Sequence, residues 1–472
     1  MKLSARVLGS VVAAAVLVAG AYPAGAVECV NVKGNRGCWA TLQEAVDAAA
    51  EGETIRISPG WYQNQQVVVN KNGVTLLGAG RRPSAVIIDA GRLALTDAIA
   101  ITADNVTVRN LSVRNSAQDL VDVTGANAKI VKVWASGADV AGINIAGPNA
   151  RIVGSRVTMT GDDCVQAIAA GFFMQRTRVA SCASGCIDVT GAGPTLIGNS
   201  AAICESDSGV IVAGPNATIR GNRINGSEGN CLDVSGDSPK IIGNDIDGCF
   251  AFGIYVDAAT AMTVSGNTVS STDDDGVDLT CNGCTGPNTV AKNVVRNTIE
   301  DDDGFVIVAD GPTQILNNRA LYIQDYGFTI SGAGPFTIRG NQAREIGGDM
   351  NETGFLIFDT SNAVVTNNVV TNVLGYGIEF DNVVGSTLRG NRVDGCWASG
   401  IRINESGLSG DNNTVENNVV RNCLEVGFQI EAGVSGTTLT SNRALLTNWQ
   451  YCDEGTGTTL TGNNFTTSIC PL

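Results

Sequence analysis

Two stretches decide the fold: Gly209-Val210-Ile211-Val212, with Ile219-Arg220-Gly221-Asn222 soon after it, and Gly377-Ile378-Glu379-Phe380, with Leu388-Arg389-Gly390-Asn391 after it. Both follow one pattern. A turn ends in glycine, a short strand alternates apolar and variable residues, and a second strand closes on Gly-Asn before a third apolar piece. From about residue 97 the chain repeats this pattern to its end. The closing asparagines are Asn199, Asn222, Asn244, Asn267, Asn293, Asn318, Asn341, Asn368, Asn391, Asn418, Asn442 and Asn463, spaced 21 to 27 residues apart, with Ser155 and Thr177 in the same place upstream. Alternation by two is the period of strands, which excludes a heptad or a membrane-spanning helix. Three short strands in about 22 residues is the period of a parallel β-helix, in which each coil packs only on its neighbours. The fold class is therefore all-β, a single-stranded right-handed parallel β-helix. Asparagine accepts the left-handed turn conformation, and its amide can bond backbone and the next coil. Those asparagines read as a structural ladder with no part in catalysis.

Working outward, residues 27–96 differ from the repeat. Thr41 to Ala50 forms a short amphipathic helix, capped by Thr41 and ended by Gly52, placed to cover the open end of the solenoid. Strands around Ile55, Val68, Val74 to Leu76 and Val86 to Ile88 then begin the coils. Residues 1–26 read as a secretory signal: Lys2 and Arg6, then an apolar run from Val7 to Ala21, then Ala24-Gly25-Ala26 as a cleavage site. Residues 27–96 and 97–472 form one continuous domain, which 472 residues could not do as an ordinary globule. A net charge of −16 argues against nucleic acid and anionic lipid. No later stretch is long and apolar enough to span a membrane, so the expectation is a secreted or periplasmic protein. Its oligomeric state cannot be read from the sequence.

All 14 cysteines lie after the signal segment, in an oxidising setting that favours disulfides over metal thiolates. Four pairs are each 18 residues apart: Cys164 with Cys182, Cys186 with Cys204, Cys231 with Cys249, and Cys452 with Cys470. That is nearly one coil, and is expected to bring the tail of one coil beside the start of the strand in the coil before. Cys29 with Cys38 and Cys281 with Cys284 are local pairs, and Cys396 with Cys423 is a pair across one enlarged coil.

The run from Leu42 to Gly80, with its Ala-Val-Asp-Ala-Ala helix, Ile-Arg-Ile-Ser-Pro-Gly-Trp-Tyr and Val-Thr-Leu-Leu-Gly-Ala-Gly, resembles the opening of pectin-lyase-like β-helix proteins, and the later coils resemble their generic repeats. The likeness covers nearly the whole chain after the signal segment. It implies a fold shared by lyases, hydrolases, epimerases, adhesins and accessory proteins. Gly161-Asp162-Asp163-Cys164 is similar to a polygalacturonase signature, which implies inverting hydrolysis by paired aspartates. That family has a histidine one coil later. This sequence has none, and Ser184-Gly185-Cys186 stands in its place. The aspartate pair also occupies the slot filled by Asp-Asp-Asp runs in other coils, so it reads as an echo of the repeat.

The resemblance implies that substrate lies along the first strand of each coil and the turn before it. The middle residue of each such strand points outward. That column runs Asp122, Asn144, Gln166, Asp188, Ile211, Asp233, Tyr255, Asp278, Val306, Thr329, Leu356, Glu379, Arg402 and Gln429. Asp233, Tyr255 and Asp278 are the candidate catalytic group for hydrolysis, with the two carboxylates two rungs apart. Arg402 is the candidate base for elimination, set against an alternative ion pair with Glu379 or Glu405. Asp188 and Glu379 are candidate substrate contacts, and Tyr326, Tyr376 and Trp397 are candidate stacking faces for sugar. In the preceding turns, Asp273-Asp274-Asp275 and Asp301-Asp302-Asp303 crowd six carboxylates together, a set that suits calcium unless they serve only as turn formers. Nothing calls for an organic cofactor. Enlarged coils around 281–288, 347–353 and 404–413 would wall the groove. Two functions stand side by side: a hydrolase or lyase acting on extracellular polysaccharide, and a non-catalytic exported solenoid for glycan binding, adhesion or surface structure.

Overall fold

The computed structural model describes residues 29–34, 37–92, 96–299, 302–348, 352–405, 412–465 and 470. Residues 1–26, expected to be a secretory signal, and Asp301 lie outside them, as do parts of the enlarged coils at 349–351 and 406–411. The chain is a right-handed parallel β-solenoid of about 18 turns with one short α-helix. Each coil contributes one strand to a first sheet and two to the remaining wall, and away from the two ends the strands pair in parallel with their counterparts one coil before and after, as Asp233 does with Tyr255 and Tyr255 with Asp278.

The helix, α1, spans Leu42–Ala48 and buries Leu42, Ala45 and Val46 against the end of the solenoid. Thr41 and Glu44 form a reciprocal capping box. The helix ends sooner than its sequence suggests. The backbone is already extended at Ala49, whose carbonyl accepts from the Lys71 ammonium at 2.6 Å, and Gly52 sits beyond in a turn. The Gln43 amide oxygen accepts the Val68 N–H at 2.8 Å, satisfying an edge group of the first rung.

The first-sheet strands bury their flanking residues and leave the middle one half open. The inward column is aliphatic through Ile187, Val210, Leu232, Ile254 and Val277, then becomes Phe305, Phe328 and Phe355, stacked with centroids 4.7 and 4.5 Å apart. Where a glycine precedes the strand, close approach requires it. A Cβ on Gly377 would lie 2.4 Å from the Gly400 carbonyl oxygen and from Val393.

The link from second to third strand is two residues, the first in the left-handed conformation and the second usually asparagine, as at Gly221-Asn222, Lys292-Asn293 and Asn367-Asn368. The Asn222 side-chain oxygen accepts from the Asn199 backbone N–H at 2.9 Å and from its amide at 3.1 Å, while its own amide donates to the Leu196 carbonyl at 3.0 Å. The same bonds recur from coil to coil to Asn463, and Ser155 and Thr177 continue the column with hydroxyls.

All seven disulfides inferred from spacing are present. Cys29 is bonded to Cys38, Cys164 to Cys182, Cys186 to Cys204 and Cys231 to Cys249. Cys281 is bonded to Cys284, Cys396 to Cys423 and Cys452 to Cys470. Their placement differs from the expectation in one respect. Cys164, Cys186 and Cys231 each stand just before a first-sheet strand, and Cys182, Cys204 and Cys249 each end the third strand of that same coil. These three bridges therefore close one coil on itself, because 18 residues fall short of the full repeat, and do not reach the coil before. Cys396 and Cys423 end third strands on adjacent rungs and do join two coils. Cys281 ends a first-sheet strand, and Cys284 lies in the loop that follows it.

Candidate functional site

In five coils the turn before the first-sheet strand carries an aspartate three residues ahead of the outward residue: Asp97, Asp119, Asp163, Asp275 and Asp303. There the side chain reaches the backbone of the next coil. Asp97 accepts from Asp119 N–H at 3.2 Å, Asp119 from Ala141 N–H at 2.9 Å, Asp275 from Asp303 N–H at 2.8 Å, and Asp303 from Tyr326 N–H at 3.0 Å. Asp163 sits in the same slot; the Ser184 side chain and the Gly185 backbone N–H pull its pKa down, but burial and then the neighbouring Asp162 outweigh them and push it up to about 6.

Among the described residues the carboxylates crowd around Asp274, Asp275, Asp278, Asp302 and Asp303, while Asp233 lies two rungs before Asp278 with Asp207 and Asp257 as its charged neighbours. Burial raises Asp278 to about 6, with the Thr280 hydroxyl pulling the other way and Asp274 adding to the rise. Burial and then Asp303 push Asp275 to about 8, so it holds a proton at neutral pH. Burial lifts Asp303 to about 6, although its two oxygens accept from Tyr326 N–H and, at 2.6 Å, from the Thr329 hydroxyl. Asp233 is also raised, first by burial. The Asn230 amide, donating at 3.1 Å, counters that rise, and Asp207 and Asp257 add to it. Tyr255 stands on the rung between Asp233 and Asp278 with its ring 5.4 Å from Phe252. Asp188 lies two rungs earlier, raised by burial and then by Asp207.

Of the six turn aspartates, Asp274, Asp275 and Asp302 each place an oxygen within 4.8 Å of the other two. Asp273 is not part of that trio, and Asp303 is taken up by its backbone and hydroxyl donors.

Arg402 is not part of this group. The register places it five rungs beyond Asp278, about 24 Å away. Its guanidinium lies 2.8 Å from Glu379 and 3.0 Å from Glu431, with its carbon 4.7 Å from the Tyr376 ring centre. Glu431 takes the place expected for Glu405. Burial alone would lower the Arg402 pKa, but Glu379, Tyr376 and Glu431 outweigh it and raise it, the wrong direction for a base. Glu379 is 8% exposed and is held by Arg402 and by the Thr353 hydroxyl, which leaves little of it for a substrate.

Trp397 lies in a different place from Tyr326 and Tyr376. It is 53% exposed and lines a groove of about 570 Å³ with Tyr322, Glu345, Asn372, Leu374 and Leu424, on the exit of the third strands. The sequence reading missed this groove. Four residues lie at the same place in the third strands that line it, Tyr322, Glu345, Asn372 and Asn422; all four are left-handed, a conformation that Tyr and Glu do not announce in the sequence.

The model of the right-handed beta helix region matches residues 165–319 and 303–465, well over half the chain. The chain belongs to this family. No curated protein matches the sequence. Among solved structures, this β-helix protein is similar to the A-module of a mannuronan C-5 epimerase from Azotobacter vinelandii, at 16% identity over 91% of this chain and 95% of that one, with a TM-score of 0.38. A pectate lyase is similar at 15% identity over 59% and 79%, with a TM-score of 0.40. A periplasmic alginate epimerase is similar at 12% identity over 73% and 77%, with a TM-score of 0.35. At these identities the likeness concerns the fold and assigns no activity. Among the described residues no helix is long and apolar enough to cross a membrane.

Proposed function

We propose that this chain is exported and hydrolyses an extracellular polysaccharide on the outer face of its first sheet, around Asp233, Tyr255 and Asp278. One observation carries the reading: Asp233 and Asp278 stand two rungs apart on the outward column with Tyr255 between them, and burial raises both carboxyls, Asp278 to about 6. A carboxyl raised in this way can carry a proton to a leaving group, and its partner can take one from water. Asp278 gives its proton to the leaving glycosidic oxygen. Asp233 takes a proton from water, whose oxygen adds to the anomeric carbon. Two rungs set their backbones ~9.6 Å apart, which favours an inverting course with water between them. Tyr255 offers a ring and a hydroxyl between the two. An elimination through Arg402 has no support, because that side chain is tied to two glutamates.

Asp274, Asp275 and Asp302 form the seat we propose for calcium. Their crowding makes a carboxylate hold a proton, and a divalent cation would relieve the same repulsion with oxygen ligands alone. The second reading, a non-catalytic binder, draws on a separate observation: the acids of the turn slot spend oxygens on backbone N–H groups and so already have a structural task.

The test is a polysaccharide screen with the mature chain, with calcium and with chelator, following reducing ends and the absorbance of unsaturated uronates. New reducing ends without absorbance, lost in Asp278→Asn and Asp233→Asn with unchanged melting, support hydrolysis. New reducing ends accompanied by the absorbance of unsaturated uronates would overturn it in favour of elimination. Retention on a polymer without any product would shift the function to binding.

A further inference from the structure

A net charge of −16 conceals a strip of the opposite sign. Between residues 107 and 180 the outward positions of the second and third strands carry Arg109, Arg114, Lys129, Arg151, Arg156 and Arg178, and no carboxylate. The acids of this span, Asp119, Asp122, Asp139, Asp162 and Asp163, all lie in the first sheet or in the turn before it. Trp134, Arg156 and Arg178 occupy one column on successive rungs, and Lys129 and Arg151 neighbour each other in the next. Among the described residues Arg109, Lys129, Arg156 and Arg178 make no ion pair, while Arg114 pairs with Asp89 and Arg92 with Asp139. Exposed Trp134 forms the wall of a groove of about 620 Å³ that Arg92, Arg114 and Arg156 also line.

The repeat does not impose this arrangement. Further along the same columns carboxylates stand beside the arginines: Arg223 neighbours Asp245, Arg389 pairs with Glu416 and Arg392 with Asp394. Like charges on adjacent rungs, ~4.8 Å apart, repel. In a chain rich in acids the strip has nonetheless been left without them. The missing counter-charge is what an external anion supplies.

We infer that this strip is a binding site for a linear acidic polysaccharide carrying carboxylates, separate from the acid face and resting on none of its chemistry. Guanidinium forks pair bidentately with carboxylates. The indole of Trp134 presents a flat apolar face to a sugar ring. A column of cations along the solenoid axis meets an extended polymer unit by unit, so the polymer lies along the axis and crosses several coils. The site anchors the chain to an acidic glycan while leaving the first sheet free.

The test uses the mature chain in chelator, so that no cation bridges polymer to the acid face. Retention on polygalacturonate is compared with retention on neutral dextran, anionic phospholipid vesicles and single-stranded DNA, at low and high salt. Retention on polygalacturonate alone, weakened by salt, is expected. Arg156→Gln with Arg178→Gln should reduce it about tenfold or more without changing the melting temperature, since both side chains are exposed. Trp134→Ala should weaken it less, and Asp278→Asn should leave it intact. Equal retention of the double variant would overturn the site. Stronger retention on vesicles or DNA than on polygalacturonate would overturn the glycan as its ligand. Loss in Asp278→Asn would move the binding to the acid face.

Discussion

Two columns of polar side chains run along this solenoid and solve the same local problem with different residues. At the link between second and third strands, an asparagine on each coil accepts a backbone N–H of the coil before it, and from Asn199 to Asn442 all are 4% exposed or less. In the turn before the first sheet, aspartates accept the N–H of the coil after them, and Asp119, Asp163 and Asp303 are 9% exposed or less, so burial works against their charged form. The amide column donates as well as accepts, so it closes on itself and is chemically silent. The carboxylate column can only accept. Its surplus of lone pairs and its repulsion remain open to a proton, a cation or a substrate. The same hydrogen-bonding task leaves reactivity in one wall of the molecule and none in another.

The strongest way to break the comparison is Asn318→Ala. It leaves the Asn293 N–H and the Val290 carbonyl bare in the core, and should cost ~3 kcal/mol, read as a lower denaturation midpoint. A loss as small as that of a surface change would mean the amides are not structural. Next, Arg402→Ala strands a nearly buried Glu379. Because the site is partly solvated, ~2 kcal/mol is expected, and Arg402→Lys should recover only part of it.

Asp275→Asn sharpens the contrast through pH. Its carboxyl rises from 3.8 to about 8 on folding, so between those values the folded chain holds a proton that the unfolded chain releases. This contribution is fully present below pH 3.8, falls as pH rises, and is lost above about 8. In chelator the wild type should therefore melt earlier at high pH than at pH 5, and Asp275→Asn should flatten the slope. If calcium occupies the trio, adding it at pH 8 should raise the melting temperature of the wild type more than that of the variant. The smallest effect belongs to Arg389→Ala, whose exposed pair with Glu416 should be worth less than ~0.5 kcal/mol in the same denaturation assay.

Much of this was legible in the sequence, because each coil repeats one environment. The asparagine spacing set the coil length, and the coil length then set which residues stand in register on the first sheet and which cysteines meet. What escaped depended on contacts across coils that spacing does not describe. The partners of Cys164, Cys186 and Cys231 followed from spacing, but whether each bridge closes one coil or joins two depends on where in the coil the third strand ends. The aspartate runs at 162–163, 273–275 and 301–303 were visible in matching register, but that Asp275 and Asp303 meet backbone N–H groups of the next coil, as Asp97 and Asp119 also do, depends on how the turn curls. Arg402 was read either as a base or as the partner of Glu379 or Glu405; the Glu379 pair is present, and its second partner escaped because Glu431, one rung further on, lies two residues beyond the outward position. The Trp397 groove draws side chains from several coils onto the strand exits, where no periodic apolar signal marks it. The basic strip was hidden by the overall charge and emerges only when residues are sorted by face.

The two-residue link beside each asparagine has a historical meaning as well. Extra residues in the coils fall elsewhere: before the first-sheet strand between Asn341 and Phe355, and after it between Val277 and Asn288 and between Asn404 and Thr414. One edge of the molecule is thus a ruler whose marks cannot be moved, and the opposite margin is free paper. Lineages can lengthen, shorten or rewrite that margin coil by coil without disturbing the count. A scaffold of this kind can gain a new specificity by insertion alone, and any relative that keeps the ruler can be aligned to it mark by mark even after its margin has become unrecognisable.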